Sequence, residues 1–320
     1  MMNILITGAA GFIGQELLPE LFKTYPDATI TITDIIGPPI PPSAAHHTSQ
    51  VKPIKTDLTN PSNVASLLEP KYDAIYQMHG IMSAGSEADL DLSLKVNLDS
   101  NRMLLDILRT KHPGTKVVFC SSCAVYGPAK KGESFSEATL PLPQGTYGAH
   151  KFMIEVLIND FSRKGVIDGR CCRLPSVIVR PGKPSAAASS FASGIVREPM
   201  NGIKADLPVN EDVEIWVASH VSVVKNLVYV LSVPPEKFDG FRTVCLPGQC
   251  VTVAQILDAL EAVGGKEKRA LVERKQDPEI ERIVMSWPSR IDTSKAKSMG
   301  MFPDESLKQI VEGYATRLKQ

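Results

Sequence analysis

The chain has 320 residues, 43% of them hydrophobic, with Lys plus Arg and Asp plus Glu balanced at 35 each. A zero net charge gives no electrostatic ground for nucleic acid or an anionic membrane as partner. No run of about 18 apolar residues reads as a transmembrane helix, and the length suffices for a sizeable core in one large or two moderate domains.

The N-terminus enters directly into MMNILITGAAGFIG, without a signal-peptide pattern, so a cytoplasmic location is the default expectation. NILIT (3–7) reads as a strand, and FIGQELLPELFKTY as the helix after it. TITITD (29–34) is a second strand. VKPIKTDL and the short helix PSNVASLLE come next, and AIYQM (74–78) is another strand. Residues 90–110 carry a long helical pattern with Leu94, Leu98, Leu104, Leu105 and Leu108 apolar. KVVFCSS (116–122) is a strand, 147–164 a helix and GRCCRLPSVIV (169–179) a further single strand. Repeated β-α-β units with fully apolar strands imply a parallel sheet covered on both faces.

After Val179 the rhythm breaks. The stretch VRPGKPSAAASSFASGIVREP (179–199) has the composition of a linker, yet it is expected to be ordered and to form one wall of a pocket. Thr252 is a plausible N-cap of a helix that ends at Gly264 and Gly265, and DESLKQIVEGYATRLK is the last helix. The reading divides the chain into residues 1–179, joined by a returning strand near 241–246, and a smaller region mainly over 180–320. Cys120 and Cys123 form a C-x-x-C without a second pair or nearby His pair. The six cysteines are therefore expected to be reduced core thiols, and no metal site is expected.

GAAGFIG places Gly8, Gly11, Phe12, Ile13 and Gly14 between the first strand and the first helix. Glycines there permit a sharp turn and close approach to a pyrophosphate, and the helix N-terminus offers free N–H groups and a positive dipole end. Asp34 ends the second strand about 20 residues on, where a carboxylate meets ribose hydroxyls and repels a 2′-phosphate. No Lys or Arg follows until Lys52, so NAD is favoured over NADP. Asp57 and Leu58 follow the third strand and are expected to flank the adenine; His79, after the fourth, is expected to be structural or near the cofactor.

Tyr147 and Lys151 lie one helical turn apart on one face. Tyrosine is a poor base at its usual value of about 10. An ammonium and an oxidised nicotinamide nearby would favour the phenolate. Tyr147 could then take a substrate hydroxyl proton while Lys151 holds the nicotinamide ribose. Ser122 is chosen as the orienting hydroxyl from its spacing to Val125, Tyr126 and Gly127, with Ser121 as runner-up.

Together, Gly8/Gly11/Gly14, Asp34, Asp57, Ser122 before AVYG and Tyr147/Lys151 resemble the extended short-chain dehydrogenase/reductases. The resemblance extends to SRIDTSKAKSMGMFPD (289–304) and covers nearly the whole chain. It implies an α/β fold: a Rossmann doubly wound parallel sheet with a smaller C-terminal substrate-binding domain. It implies Ser121 and Pro175 near the cofactor, and a homodimer built from the helices at 90–110 and 147–164. Relatives that dehydrate nucleotide sugars resemble each other in an Asp-Glu pair after the catalytic hydroxyl, where this chain has Cys123 and Ala124. Nucleotide-sugar enzymes commonly carry Asn where it has Ser176.

HGIMSAGSEADLDLSLKVNLD and 173–199 resemble a subgroup acting on small sugar acids, which implies NAD-dependent oxidation of a secondary hydroxyl of a D-erythronate-like substrate to the 2-oxo acid. A four-carbon hydroxy acid needs a cation for its carboxylate and small polar groups for its hydroxyls. Arg180, Lys183 and Arg197 offer the first; Ser83, Ser176, Ser189 and Ser190 offer the second. The alternatives are a nucleotide-sugar 4-epimerase or reductase and, more remotely, a non-catalytic NAD-binding regulatory protein.

Overall fold

The computed structural model describes residues 2–130, 132–183, 187–304 and 306–319. In chain order, β1 (Asn3–Thr7) runs into α1 (Phe12–Thr24), and β2 (Thr29–Asp34) is followed by 3-10 turns over Pro42–Gln50 and β3 (Val51–Lys55). α2 (Pro61–Leu67) leads to β4 (Ala74–Gln77) and α3 (Ser83–Ala88). The long helical pattern is divided: α4 (Leu90–Ser93) passes through a wide π-helical turn, Leu94–Asp99, into α5 (Ser100–Lys111). β5 (Lys116–Ser122), α6 (Thr146–Arg163) and β6 (Asp168–Leu174) complete this half.

The remainder is more broken. β7 (Ser176–Ile178), α7 (Ser190–Met200), β8 (Ala205–Leu207), β9 (Glu214–Ser219) and α8 (His220–Tyr229) come first. They are followed by β10 (Thr243–Cys245), β11 (Gln249–Thr252), α9 (Val253–Gly264), α10 (Lys266–Arg269) and β12 (Val272–Arg274). α11 (Pro278–Met285), α12 (Ser294–Ser298) and α13 (Leu307–Arg317) end the chain. Thr252 caps α9 through a reciprocal bond pair with Gln255, and Gly265, at φ 89°, ends it.

The main sheet has the order β10-β6-β5-β4-β1-β2-β3 and every pairing in it is parallel. Its strands are buried because both faces are covered. α1 and α8 pack on one face, where Leu17, Leu21, Val223 and Leu227 meet Ile4, Ile6, Ile30 and Ile32. α2, α5 and α6 pack on the other, with Leu104, Leu108, Ile154 and Ile158 against Leu5, Ile75, Val117 and Phe119. A separate core joins β7, α7, β9, α9, α11 and α13. The strand order reverses between β1 and β4, so a crevice opens beyond their C-terminal ends.

The single strand expected over 169–179 is two strands in two sheets. Leu174 makes the last pairing of β6, with Ser122, whereas Ser176 pairs with Val217 in the sheet β11-β9-β7. Pro175 lies at the break: it has no N–H to extend the ladder, and the chain leaves one sheet for the other there.

α6 is pressed against the turn that follows β5. A Cβ on Gly148 would lie 1.9 Å from the Ala124 carbonyl oxygen. Gly148→Ala must move this backbone, and it is expected to lower Tm by roughly 3–10 °C in scanning calorimetry. An unchanged Tm would show that α6 has room to shift.

Candidate active site

The crevice holds a cavity of about 430 Å³. One end is built by the glycine loop. Gly8 has φ +71°, and a Cβ there would lie 2.8 Å from the His79 backbone; a Cβ on Gly14 would lie 2.7 Å from Ala9 Cα. Gly8, Gly11, Phe12, Ile13 and Gly14 all line the cavity. No side chain caps α1, so its first-turn N–H groups have no partner within the helix. A backbone cradle with a helix dipole behind it fits a pyrophosphate.

Asp34 stands across this loop. One carboxylate oxygen accepts from the Ala10 N–H at 3.0 Å, the other from the Ile35 N–H at 2.7 Å. Exposed Ile35 and Ile36 follow it. Asp34, Asp57, Leu58 and His79 are the expected cofactor residues that do not line the cavity. Asp57 is occupied with Thr59, accepting from its N–H at 2.9 Å and its hydroxyl at 2.7 Å. The Leu58 side chain is packed in the core with Leu5 and Val64. His79 bridges two hydroxyls, with Nδ1 2.8 Å from Thr7 Oγ1 and Nε2 2.8 Å from Ser100 Oγ. Burial, and then the charge of Lys151, push its imidazole down to about 3, so it stays neutral. Its part is to brace the ends of β1 and β4.

Ser122, Tyr147 and Lys151 come together in the cavity wall. Ser122 is the last residue of β5 and its hydroxyl accepts from the Ala124 N–H at 3.1 Å. Lys151 is 3% exposed; its Nζ donates to the Cys120 carbonyl at 2.8 Å and lies over the Phe119 ring. Burial brings it down to about 8, with Cys120 and Glu155 opposing the shift. The lowering of the Tyr147 phenol was expected from an ammonium together with an oxidised nicotinamide; the residues of the chain by themselves hold the phenol above its ordinary value. Burial raises it, the neighbouring Cys120 and Cys123 add to this, and Arg180 and a hydrogen bond with Ser122 oppose. The desolvation of a closed site outweighs the nearby cations.

Ser121 borders the cavity, but its hydroxyl donates to the buried carboxylate of Glu155. Successive strand residues face opposite sides, so Ser121 and Ser122 serve different surroundings. Cys120 and Cys123 are neutral thiols, raised by burial to about 12 and about 11.

The other wall comes from the linker-like stretch. Pro175, Ser176, Arg180, Lys183, Ser189, Ser190 and Arg197 border the cavity; residues 184–186 lie outside the described ones. Ser193 accepts from the Arg180 N–H at 3.1 Å, and Arg197 donates to the Arg180 carbonyl at 2.9 Å and pairs with Glu198 at 2.5 Å. Ser83, also at the cavity, accepts from the Ala188 N–H at 3.2 Å and so ties α3 to this wall.

Two residues were missed by the sequence reading. Asn97, in the wide turn, accepts from the Ile81 N–H at 2.8 Å and donates to Ser86 and Ser93, pinning the loop after β4. The buried polar series Ser93, Asn97, Ser100 and Asn101 among the leucines was the available signal. Trp287 reaches the cavity from beyond α11, with no local pattern to mark it.

The NAD dependent epimerase/dehydratase family matches residues 4–234. The chain belongs to that family. D-erythronate dehydrogenases from Haemophilus influenzae and Cupriavidus necator are 37% and 36% identical to it, each match covering 98% of both chains. A solved structure described as a nucleoside-diphosphate-sugar epimerase from Agrobacterium tumefaciens superposes with a TM-score of 0.90 at 33% identity, covering 98% of this chain and 93% of that one. As a member of the NAD dependent epimerase/dehydratase family, the chain takes NAD and is an oxidoreductase acting on a CH–OH group. Among the described residues no group of three or more His, Cys, Asp and Glu could hold a metal ion, and no helix is long and apolar enough to cross a membrane.

Asp34→Ala is expected to weaken NAD binding about tenfold, the order of one charge-assisted hydrogen bond, in a fluorescence titration. Unchanged affinity would confine Asp34 to bracing the glycine loop.

Proposed function

We propose that this enzyme oxidises a secondary hydroxyl of a small D-erythronate-like sugar acid to the 2-oxo acid. The observation that carries the reading is one cavity shared by the glycine loop, the Ser122/Tyr147/Lys151 set and the half-buried Arg180. Ser122 holds the substrate oxygen and Tyr147 accepts its proton. Lys151 steadies the nicotinamide ribose, and its positive charge favours the phenolate form. Bound NAD supplies the hydride acceptor and a further positive charge beside the phenol. The Arg180 guanidinium faces the carboxylate, and Ser83, Ser176 and Ser190 offer hydroxyls to the rest of a short polyol chain. Gly8, Gly11, Phe12, Ile13, Gly14, Asp34 and Pro175 are the residues that would hold the cofactor.

The two relatives named D-erythronate dehydrogenase support this substrate class. The name of the Agrobacterium neighbour supports a second reading, nucleotide-sugar epimerisation. Ser176 in place of Asn, and a cavity of about 430 Å³ for both the nicotinamide end and the substrate, favour the small acid.

Mixing the protein with NAD and a panel of four- to six-carbon aldonates is expected to yield NADH absorbance, largest with D-erythronate. No turnover across the panel, together with epimerisation of a UDP-sugar without net NADH, would decide for the second reading. Tyr147→Phe is expected to abolish oxidation while leaving NAD affinity within about threefold, and Arg180→Met to raise KM for the acid by about tenfold or more. Equal loss of NAD binding and turnover in Tyr147→Phe would count against its role.

We further propose a homodimer through the helices at 90–111 and α6, which expose Leu90, Leu92, Met153 and Val156. Light scattering is expected to give twice the mass of 34.8 kDa, and Met153→Lys with Val156→Glu to give a monomer. A monomeric wild type would refute this interface.

A further inference from the structure

Tyr147, Lys151 and Glu155 are spaced four residues apart, so they lie along one stripe of α6. Glu155 has no solvent exposure at all. Arg173, on β6, meets it through two nitrogens: Nε is 3.0 and 3.2 Å from the two carboxylate oxygens and Nη2 is 2.6 Å from Oε2. Ser121 takes a further place on Oε1. The remaining Arg173 nitrogen, Nη1, donates to Tyr126 at 2.5 Å, and Tyr126 donates to the Ser136 carbonyl at 2.6 Å. The carboxylate is held on all sides and cannot turn.

A buried ion pair of this kind stabilises little beyond what apolar side chains of equal volume would. What it adds is a fixed charge one helical turn from Lys151. We propose that Glu155 is a positioning residue for the reaction: locked by Arg173 and Ser121, its carboxylate keeps Lys151 an ammonium within the closed site. This rests on the reading in which Lys151 acts as a cation.

The groups around Lys151 leave few other sources of negative charge. From β5 come the Cys120 carbonyl, which accepts its hydrogen bond, and the Cys120 thiol, which is neutral because burial holds it at about 12. From the end of β4 comes His79, neutral at about 3. From α6 comes Tyr147, kept protonated by burial, with the Arg180 cation beside it. Around Glu155 stand Cys171, Cys172 and Arg173 of β6 and Cys245 of β10; burial raises these thiols first, and the Glu155 charge raises them further. Lys151 itself is brought down by burial to about 8, with Cys120 and then Glu155 opposing. With the thiol neutral, the carboxylate that the fold sets beside it, on the same stripe of α6, is that of Glu155, ion-paired with Arg173.

The test uses the full chain, with two readouts across pH 6–10: calorimetric NAD affinity, and kcat with D-erythronate as probe. An ammonium that loses its proton as pH rises gives an alkaline limb near the Lys151 value. In Glu155→Gln the limb of both readouts is expected to move down by about one pH unit, the scale of one nearby charge. In the apolar double variant Glu155→Leu/Arg173→Met it is expected to move down by less, because the opposite charge of Arg173 goes with the carboxylate. This variant keeps the test open if the single one fails to fold, since a buried pair replaced by apolar groups is tolerated. A folded Glu155→Gln with the wild-type limb, or, where that variant does not fold, a double variant whose limb does not move down, would overturn the proposal. Lys151→Met separates the two ideas: if it keeps wild-type kcat and NAD affinity, the reading of Lys151 itself falls. If it is inactive while both Glu155 variants titrate like wild type, only the role of Glu155 falls.

Discussion

The site depends on how closely the ends of β1 and β4 approach. At Gly8 the chain turns with a positive φ against the backbone of His79, at a distance that leaves no room for a Cβ. The two strands lie side by side in the sheet, and their chains must part immediately beyond it. The glycine loop and α1 go one way, and the loop pinned by Asn97 and α3 go the other. His79 closes the wedge between them with a hydrogen bond on each ring nitrogen. The crevice that results is where a doubly wound sheet accepts its ligand.

In and beside that crevice, desolvation is the largest influence on six titrating groups. Tyr147, Cys120, Cys123, His79, Lys151 and Arg180 are all pushed toward their neutral forms first by burial. Arg173, deeper in the fold, has a built-in partner for its charge in Glu155. A dry site strengthens each remaining interaction, because a charge is poorly screened there. The same dryness makes the ionisation of a phenol such as Tyr147 depend on cations placed close to it.

Much of this was legible in the residues. Apolar runs at strand length, the glycines after NILIT and the four-residue spacing of Tyr147 and Lys151 are local signals, and they sit where the fold uses them. The break at Pro175 was masked because its neighbours on both sides have the composition of a strand; only the pairing partners, Ser122 for Leu174 and Val217 for Ser176, separate the two pieces. Ser121, expected near the cofactor, borders the cavity, but nothing adjacent in sequence reveals that Glu155 and Arg173 wait behind the strand to take its hydroxyl. Leu58 was expected beside the adenine from its place after a strand; that its side chain belongs to the core on that face could not be read from the strand alone. Trp287 enters from a distant segment, and long-range contacts of that kind leave no periodicity to read.

The proline at position 175 has a mechanical consequence. The strand that ends in Ser122 belongs to one sheet and the strand that leads into Arg180 to the other, and the chain passes from β6 to β7 at this one residue. The segment from Pro175 to Arg180 is a lever of about 15 Å if extended. A rotation of a few degrees at its pivot displaces the guanidinium by about 1 Å, a distance that matters greatly to a reacting pair. The span of the cavity from Ser122 to Arg180 is thus set by the angle between two sheets rather than by any one contact within either.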